Sequence, residues 1–144
     1  GWRINELLSA TAQLTHTAAA ENTMLGPLPS ILPYYGGVDL RYTKEKVSLS
    51  LRQRFNSSKS PEEYSLGGED GLEETPAVPT SVEPSGFAGS PSWVTYSLLA
   101  QFKVNENLRL NATLENIFDL HYRSFASGIS APGRSLNLGG RYQF

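Results

Sequence analysis

The feature that most constrains this chain is a strict alternation of apolar and polar residues. In its first occurrence Leu8, Ala10, Ala12 and Leu14 alternate with small polar residues. Because successive side chains of a β-strand point to opposite faces, this spacing predicts a strand with one apolar and one hydroxyl-rich side. An amphipathic helix fits worse, since its faces recur every three to four residues.

The same period returns five more times, so the sequence predicts six strands. The later segments are 38–43, 47–55, 94–103, 108–115 and 135–144. The connections alternate as well: 44–46 and 105–107 are tight, whereas 18–36, 57–91 and 117–133 are long. Tight turns on one side and long loops on the other are the layout of bacterial outer-membrane barrels, with the long loops extracellular.

The composition excludes several other classes. Hydrophobic residues make up 39% and charged residues 18%, with a net charge of −2. This balance gives no basic footprint for nucleic acid and is too apolar for a disordered chain. The absence of cysteine excludes a disulfide framework and thiolate metal sites. No apolar run approaches the roughly 20 residues that a membrane-spanning helix needs, whereas a membrane β-strand needs only about 9–11.

A soluble antiparallel sandwich, or a small lipocalin-like binding module, is the main alternative, because its strands alternate in the same way. Two features favour a membrane barrel with a water-filled lumen and interfacial aromatic girdles. The polar set carries charges at mid-strand, namely Arg52, Arg54, Arg109, Glu115 and Arg141. The apolar set carries aromatic residues near strand ends, namely Tyr42, Phe55, Tyr96, Phe102, Tyr142 and Phe144. We therefore predict an all-β fold of antiparallel, up-and-down transmembrane strands.

The last third of the chain carries a family resemblance. Residues 114–122 read Leu-Glu-Asn-Ile-Phe-Asp-Leu-His-Tyr, which resembles the Asn-Leu-Phe-Asp-x-x-Tyr pattern that closes the penultimate strand of TonB-dependent outer-membrane receptors. Residues 131–134 read Ala-Pro-Gly-Arg, similar to the Pro-Gly-Arg that opens the family's last strand. The matching residues are Asn116, Ile117, Phe118, Asp119, Tyr122, Pro132, Gly133 and Arg134.

The chain ends at Phe144, with Tyr142, Leu138 and Leu136 on the same predicted face. This ending resembles the terminal aromatic signal by which the barrel assembly machinery recognises its substrates. The three elements occur in the family's order and spacing, which makes the resemblance specific. The acidic segment 67–76 resembles loops of Bacteroidetes members, a weaker indication of source.

The resemblance implies that residues 1–144 are the C-terminal portion of a barrel of about 22 strands with a plugged lumen. Six strands are fewer than the roughly eight of the smallest single-chain outer-membrane barrels, and they would leave two bare edges. We therefore expect a piece of a larger protein. The plug domain and the N-terminal region that engages TonB are absent from it.

The function implied is that of a receptor in the outer membrane of a Gram-negative bacterium. It would take up a large scarce nutrient, such as siderophore-iron, a cobalamin-like compound or another chelate, with energy supplied through TonB. Expected partners are outer-membrane lipid, the remaining strands, the plug domain, TonB and the barrel assembly machinery, but no nucleic acid. A passive porin or an adhesin-like barrel remains open as an alternative.

Catalytic motifs and cofactor sites are not found, so we predict no enzyme, no cofactor and no metal site. His16 and His121 lack metal-site spacing, and both are interpreted as loop or structural residues. The carboxylates Glu69, Asp70, Glu73 and Glu74 do not match a calcium loop and are expected to be solvated.

The arginines Arg52, Arg54 and Arg109 belong to the polar set, which faces the lumen if the chain is a barrel. They would line a transport path, contact the plug, or form a salt-bridge network within the lumen. We favour the network.

Overall fold

A computed structural model describes residues 1–17, 26–32, 34–65 and 70–144. These residues form one antiparallel sheet of seven strands, each paired with its neighbour in sequence. The strands are β1 Trp2–Arg3, β2 Leu8–Thr15, β3 Tyr35–Lys44, β4 Val47–Asn56, β5 Trp93–Lys103, β6 Leu108–Glu115 and β7 Ser135–Tyr142. Two single 3₁₀ turns, Pro61–Glu63 and Leu72–Glu74, lie between β4 and β5. The predicted all-β, up-and-down architecture is confirmed.

The prediction of six strands is wrong by one. The additional strand, β1, consists only of Trp2 and Arg3, which pair with Ala10 and Ser9 of β2. Two residues are too few to show a periodicity, so the alternation of apolar and polar residues could not predict this strand.

The start of β3 also differs from the sequence-based prediction. It begins at Tyr35 rather than Val38 and runs through Gly36 and Gly37, which add nothing to an apolar-polar alternation. A Cβ at Gly36 would collide with the carbonyl oxygen of Gln13 on β2, so a side chain there would push the two strands apart.

The strand register places the apolar and polar sets on opposite faces. One continuous row across the sheet contains Ala10, Leu40, Leu51, Leu98, Leu114 and Leu136. Within the described residues Tyr64 is the only buried hydrophobic side chain, and Leu110 is 46% exposed. The apolar face is therefore uncovered, unlike the inner face of a sandwich, which packs against a second sheet.

The two ends of the sheet differ in their connections. Short turns join β1 to β2, β3 to β4 and β5 to β6 at one end, here called the turn end. The connections from β2 to β3, β4 to β5 and β6 to β7 lie at the other, the loop end. Among the described residues no helix has the length and apolar character needed to cross a membrane.

Two of the short turns are built identically. The side-chain oxygen of Asn5 accepts the backbone N–H of Leu7 at 2.9 Å and of Leu8 at 2.8 Å. Asn105 accepts from Asn107 and Leu108 at the same distances. An asparagine side chain that bonds the backbone two residues ahead closes a turn without distant help.

Candidate functional site

The polar face carries an ion-pair cluster below the loops. Arg52 Nε lies 2.8 Å from Asp39 Oδ1, and Arg54 Nη1 lies 3.0 Å from Asp39 Oδ2. Arg52 is directly opposite Asp39 in the register, whereas Arg54 is opposite Gly37. A Cβ at Gly37 would lie 2.6 Å from Arg54 Nη1, so the missing side chain leaves room for the guanidinium to cross β3. The favoured salt-bridge interpretation therefore fits Arg52 and Arg54.

Arg109 does not belong to this cluster. It lies on the same face but near the turn end, opposite Lys103 on β5 and Arg141 on β7. The three arginines singled out from the sequence are thus divided between two places.

The loops above this face converge on a buried ion pair. Lys59 Nζ lies 3.1 Å from Asp70 Oδ2, and the two side chains are 3% and 1% exposed. Lys59 Nζ also donates to the carbonyl of Ile31 at 2.9 Å, and Asp70 Oδ1 accepts the backbone N–H of Ser30 at 2.6 Å. Because every charged atom is paired, burial of both groups is tolerated. The pair ties the β2–β3 connection to the β4–β5 loop.

The third loop joins through aromatic contacts. Lys59 Nζ lies 4.2 Å from the ring centroid of Phe125 and 4.8 Å from that of Tyr64, within cation–π range. Tyr64 in turn shares a 2.6 Å hydrogen bond with Ser90. We call Lys59, Asp70, Tyr64 and Phe125 the loop cluster.

The expectation of solvated carboxylates is wrong for Asp70, because Lys59 and Ser30 supply the donors that replace water around it. Glu73 and Glu74 are exposed, as expected. Glu69 lies outside the described residues. A lysine eleven residues before an aspartate in an irregular loop gives no periodic signal, so the pair could not be found from sequence.

A cavity of about 460 Å³ lies between the polar face and the loops. Its lining combines cations, a carboxylate and aromatic rings, including Arg52, Arg54, Trp93, Glu115, Tyr122 and Phe125. The rings of Trp93 and Tyr122 are 4.5 Å apart. The indole N–H of Trp93 is buried and has no acceptor among the described residues. Such a lining can both stack on and hydrogen-bond to a polar organic molecule.

The two histidines line separate clefts at the loop end. His121 lines one of about 300 Å³ and lies 3.0 Å from the Ser130 hydroxyl. His16 lines one of about 480 Å³ and stacks on Tyr34 with ring centroids 4.0 Å apart. No group of three potential metal ligands occurs in the part of the chain that the structure describes.

The residues of the Asn-Ile-Phe-Asp and Pro-Gly-Arg motifs lie together at the base of the β6–β7 loop. The side-chain amide of Asn116 donates to the carbonyls of Leu120 and Pro132 at 2.9 and 3.3 Å. Asp119 Oδ1 accepts the backbone N–H of Arg134 at 2.6 Å. A Cβ at Gly133 would lie 2.7 Å from that oxygen, so glycine permits the close approach.

Three further motif residues pack against β5. The N–H of Ile117 donates to the Tyr96 carbonyl at 2.9 Å, Phe118 contacts the Tyr96 ring edge-on, and Tyr122 contacts Trp93. The motifs thus close the loop and hold it above the cavity.

The terminal aromatics contact each other. The rings of Tyr142 and Phe144 meet edge-on at 5.2 Å, and Phe144 is fully exposed. Leu136 and Leu138 are exposed as well, on the apolar face. The role of these residues as an assembly signal stays a prediction.

No family model and no curated protein matches this sequence. Its fold, however, is similar to segments of solved TonB-dependent receptors. Copper transporter OprC aligns over 99% of this chain with a TM-score of 0.77 and 18% identity. A mutant ferric enterobactin receptor, PfeA, from Pseudomonas aeruginosa aligns over 99% with a TM-score of 0.68 and 16% identity. The ferric-catecholate import receptor Fiu of Escherichia coli aligns over 98% with a TM-score of 0.62 and 15% identity.

These likenesses establish the fold: seven antiparallel, up-and-down strands that match a segment of a TonB-dependent receptor barrel. The chain covers 21% of the length of OprC and of PfeA and 19% of Fiu. The named neighbours are transporters and receptors rather than enzymes.

Proposed function

We propose that this chain is the C-terminal barrel portion of a TonB-dependent receptor in the outer membrane of a Gram-negative bacterium. The observation that carries the proposal is a sheet whose apolar face has no covering layer in the described residues. Such a face needs hydrocarbon around it, because a contiguous exposed apolar surface is unfavourable in water. The structural likeness to receptor barrels supports the same assignment.

In this proposal the polar face lines the lumen and the loop end faces the cell exterior. Most of the polypeptide, including a plug domain and the region that engages TonB, lies outside residues 1–144. Outer-membrane lipid, the remaining strands and the barrel assembly machinery are the further partners.

The cargo is a large nutrient, such as siderophore-bound iron, a cobalamin-like compound or another chelate. The cavity of about 460 Å³ and the two clefts beside it supply part of the binding surface. Their aromatic rings and charged groups suit a polar organic chelate. The loop cluster holds this surface in place.

Neighbouring residues on opposite faces provide the test. In the full-length receptor, Leu114→Arg places a charge against hydrocarbon opposite Leu98, the central residue of β5, and is expected to cost about 2–4 kcal/mol at the bilayer midplane. Thr113→Arg introduces the same side chain one residue earlier, on the water-filled side, and should be far milder. The folded fraction of each variant in lipid vesicles gives the measurement. Equal damage from both variants would contradict the assignment of the faces.

A further inference from the structure

Three cations lie side by side on the polar face at the turn end. Arg109 on β6 is directly opposite Lys103 on one side and Arg141 on the other. Like charges directly opposite each other in a sheet repel and destabilise the pairing. This row therefore needs a counter-charge.

The described residues do not supply enough negative charge to balance these three cations. Lys103 Nζ donates to both carboxylate oxygens of Glu106, at 2.8 and 2.9 Å. This hydrogen bonding, with smaller contributions from the lysine's charge and from Arg109, holds the pKa of Glu106 below its usual value. Neither guanidinium, of Arg109 or of Arg141, has an ion pair or hydrogen bond within the described part of the chain. Among the described residues, the Glu106 carboxylate is thus the only anionic partner of the row formed by Lys103, Arg109 and Arg141.

The other arginines of the polar face are arranged differently. Arg52 and Arg54 share the carboxylate of Asp39, so each of these two guanidinium groups has an ion-pair partner within the sheet itself. Arg41 is opposite two serines, Ser9 and Ser50, and donates to Ser50 at 3.2 Å. The Arg109–Arg141 pair differs from both of these arrangements. Its two cations are directly opposite each other, and their N–H donors have no acceptor in the described residues.

The Arg109–Arg141 pair is accessible to another segment of polypeptide. Arg109, Arg141 and Glu106 border a shallow pocket of about 70 Å³. Beside Arg141 on the same face lies Gly139, which has no side chain and is next to the amide of Asn111. Arg109 and Arg141 are both exposed, so no bulky side chain of the described residues covers their guanidinium groups.

We propose that Arg109 and Arg141 bind carboxylates of an acidic segment from the part of the same polypeptide outside residues 1–144. This inference rests on the proposed function, because it places the polar face towards the lumen. About four-fifths of each neighbour's length lies beyond the matched segment, which leaves ample chain to fill that space. The planar guanidinium fork suits a bidentate carboxylate. Lipid phosphate is disfavoured because the pair lies on the face opposite the leucines.

Zero-length carbodiimide coupling in the full-length receptor tests the proposal, since it joins a lysine amine to a carboxylate in contact. The variants Arg109→Lys and Arg141→Lys keep the charge and introduce the amine. We expect each to couple to an aspartate or glutamate outside residues 1–144, identified by mass spectrometry. The native Lys103–Glu106 pair serves as the internal positive control. Native Lys44, at the same end on the apolar side, serves as the negative control.

The outcomes separate the two proposals. If Lys103 couples to Glu106 but neither variant couples outside the chain, or if Lys44 couples equally well, the proposed contact is overturned. Co-purification of phospholipid that is lost in Arg109→Gln/Arg141→Gln, without any peptide coupling, overturns it in favour of lipid phosphate. In all these cases the protein still requires detergent. A receptor that is monodisperse without detergent instead overturns the proposed function.

Discussion

The two ends of the sheet are stabilised by different kinds of contact: local hydrogen bonds at the turn end and contacts between distant residues at the loop end. At the turn end, Asn5 and Asn105 each close a connection through hydrogen bonds to residues two and three positions ahead. At the loop end, Lys59 joins Asp70 and Phe125, which are 11 and 66 residues away in sequence. Damage to a turn should therefore remain local, whereas damage to the loop cluster should spread over three connections. This difference fits the proposed function, in which the loops form part of a binding surface and the turns only reverse the chain.

The largest effect is expected from Lys59→Met in the full-length receptor. It leaves the Asp70 carboxylate buried without its cationic partner, and breaking a buried pair in this way costs about 3–5 kcal/mol. Opening of the loops lets Asp70 reach water, so the cost should appear as faster hydrogen exchange and proteolysis in 26–32, 57–65 and 116–134. The strands should keep their protection, because their ladders do not depend on Lys59.

Two controls sharpen this prediction. Lys44→Met removes an exposed lysine at the turn end and should leave loop exchange unchanged. The double variant Lys59→Met/Asp70→Leu removes the stranded charge and should recover part of the protection, since an apolar pair can replace a buried ion pair. Unchanged protection of all three segments in Lys59→Met would show that they do not share one cluster.

A smaller effect is expected from Asn105→Ala at the turn end. The variant removes two hydrogen bonds to backbone N–H groups that water can replace, so we expect a loss of about 1 kcal/mol. Faster hydrogen exchange should be confined to the β5–β6 turn, and Asn5→Ala should do the same to the β1–β2 turn. Faster exchange in the loops of either variant would contradict the division into two independent ends.

The same contrast explains what could be read from the sequence. The two faces of a strand appear in the sequence as a period of two, so Leu40, Leu51 and Leu98 could each be assigned to the apolar face from the sequence alone. β1 was not predicted because two residues are too few to show a period. The start of β3 was not predicted because its glycines belong to neither the apolar nor the polar set. Local or motif-borne features were therefore predictable, including the tight connections and the residues at the base of the β6–β7 loop.

The loop cluster was not predictable, because it depends on which distant residues meet. Asp70 belongs to an acidic run that favoured solvation, and only the folded positions of Lys59 and Ser30 reverse that expectation. Likewise, the division of Arg52, Arg54 and Arg109 into two groups follows from register, since Asp39 is opposite Arg52 while Arg141 is opposite Arg109. Composition and alternation place a residue on a face but do not choose its partner across the sheet.

The smallest effect is expected from titration of Tyr64. Burial raises the pKa of its phenol above the ordinary value, although the hydrogen bond with Ser90 offsets part of the shift. An acid whose pKa is higher in the folded state stabilises that state fully below the unfolded pKa of about 10, and its contribution is lost as the pH rises through the folded value. The loop cluster should therefore loosen above about pH 10.

Limited proteolysis with an alkaline protease across that range, alongside tyrosinate absorbance, gives the measurement. Tyr64→Phe is the control variant: it should remove only the part of the loop cleavage that follows the tyrosinate signal. The hydrogen bonds that close the two turns are accepted by the side chains of Asn5 and Asn105, which are uncharged at every pH. Cleavage at these turns that rises together with cleavage of the loops would mean that the two ends open as one unit.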